Sequence, residues 1–145
     1  LGLLDSTEEH PESKLRRYLI TTVVFILLVA FGIWWMLRFH QEKLTVRHFL
    51  DAVVAGKMDD AYKMWKPAPS YTYKDFVDDW GPGGYYGPVR SYHYEDAEKP
   101  AKSESGVIIV FEVSPDATFP GAGDSKTKEV RVWVAFADQS MSFPP

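Results

Sequence analysis

Residues 18–37 read YLITTVVFILLVAFGIWWML. The run holds no charged residue, and Lys14, Arg16, Arg17 and Arg38 stand just outside it. A helix rises about 1.5 Å per residue, so this segment spans roughly 30 Å, the thickness of a bilayer's hydrocarbon core. A cleaved signal peptide has a shorter apolar core, of about 7–15 residues, and a small-residue exit. Here the run ends in Trp34, Trp35 and Met36. A buried soluble helix carries a polar face, which Thr21, Thr22 and Gly32 do not compose. The reading is a transmembrane helix over residues 18–38, with Tyr18 and Trp34/Trp35 in the two interfacial belts.

The flanks weigh on orientation only lightly. Lys14, Arg16 and Arg17 cluster before the helix, whereas Arg38, Lys43 and Arg47 are spread out after it. With a short leading tail, the positive-inside rule favours a start inside and a C-terminal domain outside the cytoplasm, hence periplasmic. The absence of cysteine leaves the redox compartment unmarked. No ionisable group lies inside the run, so proton relay or ion transport by this helix alone is not expected. Phe25, Phe31, Trp34 and Trp35 give the helix a bulky aromatic surface, suited to lipid, to other helices or to flat pigments.

Residues 1–17 form a polar tail; its first thirteen, LGLLDSTEEHPES, are acidic, interrupted by Pro11 and expected to be disordered alone. Leu3 and Leu4 are its candidate docking residues. The chain starts at Leu1, read as a processed product or an incomplete start. About one hundred residues follow the membrane segment, enough for one soluble domain over residues 41–145. The net charge of −4 and the lack of a Lys/Arg stripe argue against a nucleic-acid footprint.

Within that domain, Val46, Phe49, Leu50, Val53 and Val54 recur at three-four spacing, predicting a helix over residues 41–55 with Gly56 as its C-terminal cap. A second short helix, capped by Asp59 or Asp60, runs to Trp65 and stops at Pro67 and Pro69. A third starts near Ser70 or Thr72, carries Phe76, Val77 and Trp80, and ends at the Gly-Pro-Gly-Gly of residues 81–84. Period-two segments over residues 89–96, 106–113 and 129–137, and a last one around Met141 and Phe143, predict strands. The fold class is α+β: two or three helices packed on a curved antiparallel sheet of three to four strands.

The segments FLDAVVAGKMDDAYKMW (residues 49–65) and YTYKDFVDDWG (residues 71–81), followed by hydrophobic strands, resemble the nuclear-transport-factor-two-like, or cystatin-like, superfamily. The resemblance covers about one hundred residues and implies a cone-shaped α+β domain. That fold hosts many unrelated functions, so it implies no activity.

The most distinctive candidate site is DDWGPGGYYGP, residues 78–88. Trp80, Tyr85 and Tyr86 either rim a pocket or anchor an interface, or else plug the open end of the cone. The glycines are no phosphate loop, since no GK[ST] follows. His93 and Glu95 share a strand face, but adjacent same-face neighbours are common by chance, so catalysis by this pair is not expected. Asp75, Asp78 and Asp79 share one helix face, whose default is solvation. His40 and His48 lack metal-ligand spacing.

No reactive set emerges, so no enzyme, catalytic residue, metal or resident cofactor is expected. The expectation is a non-catalytic accessory or stabilising subunit of a larger bacterial membrane complex, of photosynthetic or respiratory kind, docking on neighbouring subunits. Its partner-binding candidates are Phe25, Phe31, Trp34, Trp35, Trp80, Tyr85 and Tyr86, with contact to lipids or pigments of the host complex. The alternative is a membrane-tethered ligand-binding or enzymatic domain that uses the cone-shaped cavity.

Overall fold

The computed structural model describes residues 11–144; the expectations for the rest of the tail, Leu3 and Leu4 included, lie outside them. The chain divides into two units, Leu1–Arg38 and Phe39–Pro145.

Among its described residues the first unit holds one helix, α1 (Pro11–Leu37), with no buried residue. It contains an 18-residue window of mean hydropathy 2.4, long and apolar enough to cross a membrane. The helix begins seven residues earlier than the apolar run, so it takes in the end of the polar tail, including residues 11–13 of the stretch expected to be disordered alone. Pro11 suits the first helical position, where no N–H partner is needed, and Glu12 complements the positive end of the helix dipole. Lys14, Leu15, Arg16 and Arg17 are good helix formers.

The second unit is α+β. It runs α2 (His40–Val54), α3 (Met58–Trp65), α4 (Tyr73–Trp80), β1 (Ser91–Glu98), β2 (Gly106–Ser114), β3 (Lys128–Ala135) and β4 (Met141–Ser142). The strands form an antiparallel meander in the order β1-β2-β3-β4. α2 buries the periodic stripe Val46, Phe49, Leu50 and Val53. It ends in a Schellman motif: the Gly56 N–H donates to the Val53 carbonyl and the Lys57 N–H to the Ala52 carbonyl, with Gly56 at φ 76°.

α3 starts at Met58, with Lys57 in the cap position and no side-chain cap; Asp59 and Asp60, expected as caps, lie inside the first turn. The Schellman turn hands the chain into α3 so early that no residue is left for a carboxylate cap, and both acids sit instead at the dipole's positive end. α4 does carry its cap. The Thr72 side chain accepts from the Asp75 N–H, and the Asp75 carboxylate accepts from the Thr72 N–H.

The core lies between the helices and one face of the sheet. Val107, Ile109, Phe111 and Val113 of β2 and Val130, Val132 and Val134 of β3 face it. Phe49, Trp65, Phe76 and Trp80 form an aromatic cluster with centroids 5.0–6.4 Å apart. β1 starts and ends two residues later than predicted, and a bulge between Tyr94 and Asp96 breaks its alternation. The bulge leaves Glu95 unpaired and brings Ala97, rather than Asp96, opposite Ile109 on the core side.

Candidate ligand cleft

α2 carries a second stripe beside its buried one. His40, Lys43, Leu44 and Arg47 recur at the i, i+3, i+4, i+7 spacing of a single helix face. They flank a cavity of about 500 Å3, open along one side, between α2 and the core-facing surface of β1 and β2. Its floor is apolar, made of Val46, Leu50, Ile109 and Phe111; Tyr92 and Tyr94 complete the wall. β1 places both tyrosines there because they lie two apart before the bulge, opposite Val113 and Phe111.

The electrostatics are one-sided, since no carboxylate lines the cleft. The Lys43 Nζ rides 4.9 Å from the Tyr94 ring centroid. The Tyr92 hydroxyl donates to Asp51 Oδ1 at 2.5 Å. Burial pushes the Tyr92 phenol up to about 12, the Asp51 hydrogen bond and charge add to this, and Arg47 opposes it. Tyr92 therefore stays a neutral donor at neutral pH. Among the described residues, His40, Lys43 and Arg47 make no ion pair. The cleft offers binding groups: cations at the rim, hydroxyls on one wall and an apolar base.

The residues singled out from sequence fall into different places. Trp80 is fully buried in the aromatic cluster, which corrects its reading as a partner contact. Its ring stacks on Phe111 and Phe143 at 6.4 and 6.2 Å and lies tilted against Tyr86 at 5.1 Å. Tyr86 is half-buried against the same core, and burial raises its phenol above the ordinary value. Tyr85 alone of the three is exposed, with Lys128 Nζ 4.4 Å from its ring centroid.

The glycine-rich loop is a structural turn. Tyr85 and Tyr86 N–H groups donate to the Asp78 and Asp79 carbonyls at 2.9 and 2.8 Å. A Cβ on Gly87 would fall 1.7 Å from the Gly81 carbonyl oxygen, so only glycine fits there.

The three acids of α4 are not an idle solvated face. Asp75 closes the capping box, and those hydrogen bonds hold its carboxyl below the ordinary range. Asp78 pairs with Lys74 at 3.7 Å. Asp79 Oδ2 accepts from the Tyr71 hydroxyl at 2.5 Å, and burial with this contact raises the Tyr71 phenol.

His93 stacks on Phe119 at 5.5 Å, on the sheet face away from the helices. It stands opposite Glu112, whose carboxylate accepts the Gly123 N–H at 3.1–3.2 Å and so pins the loop between β2 and β3. In α1, Phe31 lies 5.9 and 6.1 Å from Trp34 and Trp35, and Arg38 covers both indoles at 5.9 and 5.2 Å. Phe25 belongs to another side of that helix, about 120° from Phe31 at 3.6 residues per turn.

The sequence reading missed Lys43, Arg47, Tyr92 and Tyr94. The basic i, i+3, i+7 stripe of α2 was the available signal.

No family model, curated protein or solved structure matches the chain.

Proposed function

We propose that this chain is a membrane-anchored, non-catalytic accessory subunit whose helix α1 packs against other subunits of a larger membrane complex and whose α+β domain docks on a neighbour. The observation that carries this reading is α1 itself: 27 residues without one buried side chain. Leaving that apolar surface in water is unfavourable at about 25 cal/mol per Å2, so it needs lipid or protein around it. The ridge of Phe31, Trp34 and Trp35 favours protein, because interfaces concentrate bulky aromatics at their centres. Exposed Tyr85 is the matching contact on the domain. The extracytoplasmic side is the favoured location of the domain, on the weak charge asymmetry of the flanks. The nuclear-transport-factor-two-like assignment is part of the same proposal, supported by the order of helices before a meandering sheet.

Extraction of the native membrane in mild detergent tests the reading. The chain should elute with larger membrane proteins, and Trp34→Ala with Trp35→Ala should release it from them. A chain that elutes alone, or a double variant retained like the parent, sinks the proposal.

A second reading, a membrane-tethered ligand-binding domain, is favoured by the cleft of α2, β1 and β2.

A further inference from the structure

The cleft combines two properties that are separate on ordinary surfaces. Its apolar side is Leu44 with the Tyr92 and Tyr94 rings, backed by the nearly covered Val46, Leu50, Ile109 and Phe111, and its polar groups are Lys43, Arg47, His40 and the tyrosine hydroxyls. Water fills an apolar slot unfavourably, and an apolar molecule alone leaves the rim cations unused. A bare anion leaves the floor unused. The volume, about 500 Å3, lies in the range of about 300–1,000 Å3 typical of small-molecule sites.

Asp51 keeps its charge behind the Tyr92 hydroxyl, whose hydrogen bond it accepts at 2.5 Å. Glu42, on the same helix, is buried and receives the Gln139 side-chain amide at 3.2 Å. Neither lines the cleft.

We infer that the cleft binds an anionic amphiphile with one hydrocarbon chain in the slot, its charged head held by Lys43 and Arg47 with His40 beside them. This inference rests on the ligand-binding reading and is independent of any partner subunit. The shared chemistry is a chain with a carboxylate or phosphate head, from a free fatty acid or from an anionic bilayer lipid.

The test uses the full chain in phosphatidylcholine vesicles and follows acetylation of the Lys43 amine by peptide mapping. Lys74 and Lys126, each beside an aspartate elsewhere in the domain, serve as internal references. Oleate at several times its dissociation constant should slow Lys43 acetylation about fivefold and leave the references unchanged. Oleyl alcohol and inorganic phosphate should protect less than about twofold, lacking head charge and chain respectively.

Arg47→Glu should abolish the protection by oleate. Arg47→Met, which keeps the aliphatic stem, is the second variant should the first fail to fold, and it should weaken the protection. Replacing the vesicles by an equimolar mixture with phosphatidylglycerol separates the sources. Selective protection of Lys43 there assigns a bilayer lipid, and protection by oleate alone assigns a free fatty acid. No protection by oleate, equal protection by the alcohol or by phosphate, or uniform slowing at all three lysines overturns the site. The accessory-subunit reading fails on its own measurement, elution alone from mild detergent, and that failure leaves protection of Lys43 unchanged.

Discussion

Trp34 and Trp35 of α1 are each 58 % exposed, whereas Trp65 and Trp80 of the α+β unit are 2 % and 0 % exposed. The side chain is the same; the surroundings the fold provides are opposite. In the domain every large aromatic of the cluster has neighbours on all sides, so its apolar area is already removed from water. In α1 the same kind of area is left open along the whole helix. The difference teaches that the domain buries its apolar surface within itself while α1 leaves its own open, and that function is to be sought where apolar surface is unspent.

The sharpest way to break this contrast is to truncate one tryptophan from each side. Trp80→Ala should destabilise the domain by about 3–5 kcal/mol, a large part of a typical total of about 5–15 kcal/mol. Near-ultraviolet circular dichroism of the full chain on heating would show it. Trp80 Nε1 finds no hydrogen-bond partner in the protein, so Trp80→Phe loses packing alone and should destabilise by less than about 3 kcal/mol. Trp34→Ala with Trp35→Ala should move the same transition by no more than about 0.5 kcal/mol. A comparable shift from both sets would abolish the distinction.

A smaller effect sharpens it within the domain. Gly56 sits at φ 76° with open space around its Cβ position. Any loss in Gly56→Val is therefore backbone strain rather than a clash, expected at about 1–2 kcal/mol for a left-handed, β-branched residue. Gly32 of α1 also has open space but no unusual backbone angle. Gly32→Ala should leave the domain's thermal transition where it is. An unmoved transition in Gly56→Val would remove the cap from the list of stabilising elements.

What could be read from sequence follows the range of the forces involved. α1 is announced by composition, and α2 and β3 by their periods. Gly56 and the Thr72–Asp75 box are local signals of three or four residues, and the structure places both. The extension of α1 back to Pro11 was also local, in Pro11 and Glu12, but the acidic composition of the tail masked it. The bulge at Glu95 was not legible, because a bulge is defined by the strand opposite it. The burial of Trp80 depends on Phe143, more than sixty residues away in the chain. The cleft was half legible: the basic stripe of α2 is written in the sequence, but the apolar floor appears only when β2 passes beneath it.

The outer face of the sheet sharpens the comparison most finely, because there two like residues have opposite surroundings. The Gly123 N–H holds Glu112 below the ordinary carboxylate value of 4.5, whereas desolvation and then Glu112 itself hold Glu95 above it. The stabilisation from Glu112 is therefore complete above pH 4.5 and is lost as pH falls through its lower folded value. Glu95 works in the opposite sense: its penalty is absent at low pH and sets in as pH rises through its raised folded value. Glu112→Gln should thus lower stability at pH 7 by about 1.5 kcal/mol, the scale of one charge-assisted hydrogen bond. That gap should close towards pH 3, with faster amide exchange at Gly123 at neutral pH. Glu95→Gln should raise stability at pH 7 and change little in acid. Thermal midpoints of the three proteins across that range decide it: parallel curves would mean that the carboxylates are spectators and that the loop is held by other contacts, such as the Ser91 hydroxyl on the Asp116 carbonyl at 2.6 Å.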